Sequence, residues 1–279
     1  MTGIPPAGVL TRCRLYVPAR SLWGAITHEL GKREIELPLE NSFNSSNVRA
    51  YYQKLGDHLK EQTRLSYLYP AELIHGKWQT WLPRYQIGQG LSWLREDQTD
   101  KPISHRAFRS RLLYTRLSTA IQRATGSADD ETLHETECVQ PFWRHQHPFQ
   151  PVAMVGYLFI KSELLLKEIE KLEQLFVGGD SRYGLGHLTL ESKLEQSEQL
   201  FNLTTDLNQE KIKISLKDQQ AILGHTSQAT AAFLGALEAI GSWDMHQKNQ
   251  ANSHLYWSPG AQAEKEQELT INCDGKWEN

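Results

Sequence analysis

Cysteine is scarce. Cys13, Cys138 and Cys273 are the only three in 279 residues, scattered and odd in number. That argues against a disulfide framework and for a reduced, cytoplasmic protein. Long apolar runs are also missing. None approaches the roughly 18 residues of a membrane-spanning helix, so no membrane partner is expected. The opening MTGIPPAGVLTRC lacks the apolar core of a signal peptide. Acidic residues are absent from two tracts. Met1–His28 holds Arg12, Arg14 and Arg20 without an acid. Lys101–Ala128 holds Lys101, Arg106, Arg109, Arg111, Arg116 and Arg123, again without one. The net charge is only −3, because acids gather at 129–137 and 191–210. A global polycation is excluded. A local cationic face for a polyanion remains open, beside the alternative of a solvated surface with chance segregation.

What is present fits a globular chain: 39% hydrophobic and 23% charged residues, long enough for one large domain or two small ones. RCRLYV (12–17) alternates like a strand, and SLWGAITHEL reads as a short helix capped by Ser21 and ended by Gly31. Residues 41–100 are rich in Tyr, Trp and Gln with weak periodicity. They read as an insertion or structured loop, with YYQKLGDHLK helical. PVAMVGYLFI (151–160) is apolar on both faces, as in a central strand. After Ser162, Leu165, Ile169, Leu172 and Phe176 fall on one helical face. HLTLESK, KIKISL, HLYW and ELTINC read as strands. TSQATAAFLGALEAIG (226–241) reads as a helix with Ala229, Phe233, Leu237 and Ile240 on one face. Repeated strand–helix–strand units predict an α+β protein with a ferredoxin-like (RRM-like) core. The chain divides into a 41–100 insertion, a core segment at 104–190 and an α+β portion at 205–279, all within one 1–279 unit.

Between Leu175 and Leu190 the chain reads LFVGGDSRYGLGHLTL. A nucleotide P-loop needs a Lys-Ser/Thr pair after its last glycine, and none follows. A dinucleotide fingerprint must follow a strand and open a helix, whereas this loop reads as following a helix and opening a strand. No cofactor is therefore expected. Glycines allow positive φ and close backbone approach, and exposed N–H groups in such a loop can cradle phosphates. Arg182 adds a charged fork and Tyr183 a stacking face. The structural alternative is a loop that lets the chain return tightly to the sheet.

Three segments together resemble the RAMP superfamily of CRISPR-associated proteins. G-G-D-S-R-Y-G-L-G (178–186) resembles its glycine-rich loop. YVPARSLWGAITHEL (16–30) resembles the segment in which a strand feeds the first helix. In 104–143, Arg116, Ile121, Arg123, Thr125, Gly126, Ala128, Leu133 and Glu137 fit a third family segment. The departures are Arg20 in place of a small residue, Trp23 in place of a basic one, and Gln122 in place of an aspartate. The resemblance is to backbone or capping subunits of type III effector complexes. It implies a structural subunit that binds CRISPR RNA, with other effector subunits as partners and target RNA as a possible further one, in antiviral interference. It implies RNA contacts at Arg20, Ser21, Arg109, Arg111, Arg116, Arg123, Gly178, Gly179, Ser181, Arg182, Tyr183, Gly184 and Gly186. Only about 17 residues precede the first helix, so a neighbouring subunit could complete the first sheet.

The resemblance also bears on catalysis. RNA-cleaving relatives use an aspartate ahead of the first helix, but the first acid here is Glu29 and the first aspartate Asp57. The reading is therefore of a non-cleaving subunit. The alternative is a metal-independent endoribonuclease for precursor RNA, using His28 and Lys32 on one helical face as acid–base and cation. A scaffold without direct RNA contact is a third reading. His134, Cys138, His145 and His147 are four potential zinc ligands within 14 residues, but their spacing matches no standard site, so no metal is expected. The tryptophans of 78–93 are expected in the core, with a subunit interface or stacking surface as alternatives.

Overall fold

The computed structural model describes residues 3–7, 10–33, 48–144, 146–207, 211–228, 233–243 and 251–279. The chain begins with strands β1 (Gly3–Ala7) and β2 (Leu10–Cys13), then helices α1 (Ala19–Lys32) and α2 (Val48–Gln62). Five strands follow: β3 (Thr63–Leu65), β4 (Tyr69–Ile74), β5 (Lys77–Gln86), β6 (Gly90–Arg95) and β7 (Gln98–Ser104). Helix α3 (His105–Leu112) leads into β8 (Leu113–Ser118) and β9 (His134–Val139). Next come β10 (Ala153–Val155), β11 (Leu158–Ile160), helix α4 (Glu163–Glu170), β12 (Gln174–Phe176) and β13 (His187–Thr189). The remaining strands are β14 (Gln199–Leu200), β15 (Leu203–Asp206), β16 (Lys213–Leu216), β17 (Thr226–Ser227), β18 (Phe233–Leu234), β19 (Leu237–Trp243), β20 (Ala251–Trp257), β21 (Gln262–Ala263), β22 (Gln267–Ile271) and β23 (Trp277–Glu278).

The class is α+β. One sheet has the order β1-β2-β9-β8, a second β10-β4-β5-β6-β7, and a third β14-β15-β16-β22-β23-β17-β20-β19. In the first sheet β2 and β9 run parallel, so the chain between them must cross over. No helix among the described residues is long and apolar enough to cross a membrane. One hydrophobic cluster runs through the sheets and helices. Its aromatic centre is Phe108 of α3, stacked on Trp93 at 4.4 Å and flanked by Trp81 at 5.3 Å and Trp143 at 5.9 Å. Trp81 and Trp93, from the 78–93 stretch, are thus core residues.

Several expected elements differ. The helix at 226–241 is absent: its described residues form β17, β18 and β19, and Ala229 lies outside them. Pairing of Leu237↔Trp257 through Trp243↔Ala251 supplies a seven-residue ladder. That tertiary pairing overrides the helical preference of the alanines. Among the described residues of 205–279 there is no α-helix, so the helical part expected there is not found. The helix after Ser162 stops at Glu170, and Phe176 belongs to β12, opposite His187. The run 151–160 breaks at Gly156 into β10 and β11, which join different sheets. A Cβ at Gly156 would lie 2.8 Å from the Tyr67 carbonyl, so the chain bends where it passes that backbone. In α1, Pro18 occupies the N-cap and Ser21 lies inside the helix, its N–H donating to Pro18 O at 2.9 Å. Gly31 likewise lies inside it.

A buried polar network joins the N-terminal strands to the C-terminal sheet. His225, fully buried, accepts at Nδ1 from Tyr67 Oη at 2.7 Å, and its Nε2 lies 3.0 Å from Glu238 Oε2. Tyr16 Oη donates to the same carboxylate at 3.0 Å, and Arg14 Nε donates to Glu238 Oε1 at 2.8 Å. A neutral ring with its proton on Nε2 satisfies every one of these contacts. Burial pushes His225 below its ordinary value despite Glu238. Burial also raises Glu238, but His225 and Arg14 outweigh it and hold the carboxyl at about 2. Lys276 and Tyr256 stand close by, with Lys276 Nζ 4.8 Å from the Tyr256 ring centroid. At Gly275, φ is +75° and a Cβ would lie 2.2 Å from the Ala19 Cβ, so the turn carrying Lys276 sits directly on the start of α1.

Both titrations act in the same direction. The unfolded chain takes up protons at His225 below about pH 6.5 and at Glu238 below about pH 4.5, where the folded chain does not. Stability is therefore complete above pH 6.5 and falls with acidification. His225→Ala should cost about 1–3 kcal/mol at pH 7 by stranding Tyr67 and Glu238, and should flatten the stability loss between pH 7 and 5. Urea unfolding at the two pH values measures both.

Candidate nucleic-acid interface

Helix α1 buries Ala19, Leu22, Ala25, Ile26 and Leu30. Positions 20, 24, 28 and 32 recur every four residues and so line the opposite side. That side faces the hairpin formed by β12 and β13, which pair from Gln174↔Thr189 to Phe176↔His187. Between them runs an open groove of about 560 Å³, lined by Arg20, Ser21, Gly24, His28, Glu29 and Lys32 on one wall and Phe176, Gly178, Ser181 and Arg182 on the other.

The glycine-rich loop is the tip of this hairpin, so it follows a strand and not a helix. Val177 N donates to Gly186 O at 2.9 Å and closes it. Asp180 is left-handed, Ser181–Tyr183 form one 3₁₀ turn, and Gly184 is left-handed again. Gly186 has φ +74° and stands so close to Val177 that a Cβ would lie 2.0 Å from its carbonyl oxygen. The glycines thus meet a structural demand, and the turn they permit displays Ser181, Arg182 and Tyr183. Tyr183 is 72% exposed.

Arg20, Ser21, Gly178, Ser181 and Arg182, expected to act together, are brought together. Arg20 and Arg182 are exposed and form no ion pair among the described residues. Lys32 Nζ is paired with Glu29 at 2.8 Å, and His28 stacks against Tyr52 with 6.1 Å between ring centres. Arg116, on β8, reaches the loop and donates from Nη1 to Tyr183 O at 3.4 Å. Arg123 is exposed on a turn closed by Gln122 N donating to Ser127 O at 2.9 Å.

Arg109 and Arg111 are placed differently. Arg109 is ion-paired with Glu137, which also accepts from Cys13 N at 3.0 Å. Burial raises the Glu137 carboxyl, but the Arg109 hydrogen bond and the Cys13 N–H bring it below its ordinary value. Arg109 thereby ties α3 to β9 and β2. Arg111 is half-buried, and its carbonyl accepts from Gln140 Nε2 at 2.6 Å.

The four potential zinc ligands are not assembled. His134 and Cys138 are four residues apart on extended β9, about 13 Å along the strand. Cys138 is buried, and that burial pushes its thiol up. His147 packs on Phe149, and His145 lies outside the described residues. Among the described residues no three His, Cys, Asp or Glu side chains gather to hold a metal ion. The His225–Glu238–Tyr67–Tyr16–Arg14 network carried no sequence signal. Its members are widely separated, and Glu238 falls in a stretch that reads as helical.

No protein-family model matches the chain, and no curated protein matches it. Solved structures do. A chain in the cryo-EM structure of type III-B Cmr-beta bound to cognate target RNA and AMPPnP aligns with TM-score 0.52 and 9% identity, over 93% of this chain and 80% of that one. A chain of Cmr-beta bound to cognate target RNA aligns at TM-score 0.49 and 11% identity, over 94% and 78%. At such identity the likeness is one of fold. This chain therefore shares its fold with a chain of the type III-B Cmr-beta complex.

Gly186→Ala should destabilise the chain by about 1–3 kcal/mol through the positive φ and the Val177 contact. Gly179→Ala, where a Cβ meets nothing within 4 Å, should stay within about 0.5 kcal/mol of the parent. Thermal unfolding of the two variants compares them directly.

Proposed function

We propose that this chain is a non-catalytic, RNA-binding structural subunit of a type III CRISPR effector ribonucleoprotein, holding CRISPR RNA beside neighbouring subunits. The observation that carries the reading is the groove, where two unpaired arginines, a serine-bearing turn and exposed backbone converge. Such a surface suits phosphate contacts that are independent of sequence. The fold shared with a Cmr-beta chain supports the setting. A ferredoxin-like core is the finer architecture we favour. In support, β2 runs parallel to β9, β8 lies antiparallel beside β9, and α1 follows β2. The non-cleaving role rests on the sequence, in which no acid precedes Glu29.

Processing of precursor RNA by His28 is a second reading, favoured by its place in the groove. Its assigned cation, Lys32, is ion-paired with Glu29, the other acid–base group on that wall of the groove, so the two are engaged with each other. Incubation with labelled repeat RNA in EDTA separates the two. Binding without cleavage is expected, and cleavage abolished by His28→Ala would reverse the assignment.

Arg20→Ala and Arg182→Ala should each weaken RNA binding and lower the salt slope by about one. Arg116→Ala and Arg123→Ala should act in the same direction. Arg109→Ala should instead lower stability, because it strands Glu137. Affinity titrations across a salt series check the first four and thermal unfolding the fifth, and an unchanged slope for Arg20 and Arg182 would remove the groove from the RNA face.

A further inference from the structure

The described residues of the stretch 141–151, PFWRHQHPFQP, form a short finger that the groove does not explain. Its two sides pair: Phe142 bridges Pro151, Trp143 N donates to Gln150 O at 2.9 Å, and Val152 N donates to Pro141 O at 2.8 Å. Its root is fixed. Trp143 is 1% exposed and packs on Phe108 in the aromatic centre of the core. Arg144 is held at its base, where its backbone N–H donates to Arg111 O at 3.2 Å and its Nη2 to Leu113 O at 2.7 Å.

Beyond the root, Phe142, His147, Pro148 and Phe149 are exposed. Phe142 is 49% exposed and Phe149 64% exposed. The His147 ring lies 5.0 Å from that of Phe149, tilted by 59°. Large aromatics are expensive to leave in water, and a rigid root that holds two of them there calls for an occupant. Charge selects among occupants. From Val139 to Ser162 the sequence contains no Asp or Glu. The finger therefore offers π-faces and one guanidinium, Arg144, with no acid in its sequence, which complements a polyanion that carries flat rings. An apolar protein face would not need the guanidinium.

We infer that the 141–151 finger is a base-stacking platform for single-stranded RNA, with bases against Phe142 and Phe149 and the backbone beside Arg144. The inference rests on the RNA-binding reading above and adds a second contact of different physical character. Stacking is tolerant of sequence and responds little to salt, unlike phosphate contacts.

The test uses the full chain and a fluorescently labelled single-stranded RNA of about 20 nucleotides, titrated at several salt concentrations. Phe142→Ala/Phe149→Ala is expected to lose at least about tenfold in affinity with an unchanged salt slope. Phe149→Trp should retain affinity. Ultraviolet cross-linking should join the RNA to the peptide containing Phe149. Unchanged affinity in the double alanine variant would overturn the inference, as would loss of co-purifying subunits with RNA affinity intact, which would make the finger a protein contact. Failure of the groove reading appears separately, as an unchanged salt slope in Arg20→Ala and Arg182→Ala. A parent chain that binds no single-stranded RNA would overturn both.

Discussion

The contact on which the architecture depends is the half-buried carboxylate of Glu238. It gathers Arg14 and Tyr16 from the chain just ahead of α1, and His225 from the C-terminal sheet. Through His225 it also reaches Tyr67. A carboxylate taken largely out of water is costly unless partnered, and here the partners come from two distant parts of the chain, residues 14–16 and His225. Satisfying one charge therefore fixes where the N-terminal strand, the β3–β4 link and β19 must meet. Because Arg14 and Tyr16 lie immediately before α1, the same contact sets the position of that helix. The Gly275 turn seated on Ala19 reinforces it.

With α1 fixed, the groove depends on the hairpin opposite. The glycines belong first to the backbone: Gly186 cannot carry a side chain against the Val177 carbonyl. In the proposed RNA contact their effect is indirect, since they hold Arg182 and Tyr183 exposed at the hairpin tip. The arginine tract divides along similar lines. Arg109 is spent on Glu137 within the structure, while Arg20 and Arg182 keep their charge for a ligand. Counting cations in the sequence overstates the binding face, because an arginine paired inside the protein has little left to offer a phosphate.

What could be read in the sequence was what local pattern determines. The first helix and the YYQKLGDHLK helix are present, and the strands read in KIKISL (211–216) and ELTINC (268–273) appear as Lys213–Leu216 and Gln267–Ile271. The association of Arg20 and Ser21 with the glycine loop came from the family resemblance, and they do share a groove. What failed was whatever non-local pairing decides. TSQATAAFLGALEAIG has helical spacing, yet β20 captures Leu237–Trp243 as a strand. Phe176 fits the helical face of Leu165 and Ile169, yet it pairs with His187 across the hairpin. The His225 network could not be found by spacing at all, since Tyr16, Tyr67, His225 and Glu238 meet only after the sheets have formed.

The β8–β9 ladder links the two surfaces of interest. At one end Arg116 touches the glycine hairpin at Tyr183. At the other, β9 ends at Val139 and the chain enters the finger, anchored by Trp143 on Phe108. A strand pair is stiff along its length, so the cationic groove and the aromatic finger hold a fixed separation. A flexible single strand that engages both would gain from that rigidity, since the second contact follows the first without a further loss of freedom in the protein. One contact is sensitive to salt and the other is not, so a strand bound at both sites would stay attached at ionic strengths that release it from the groove alone.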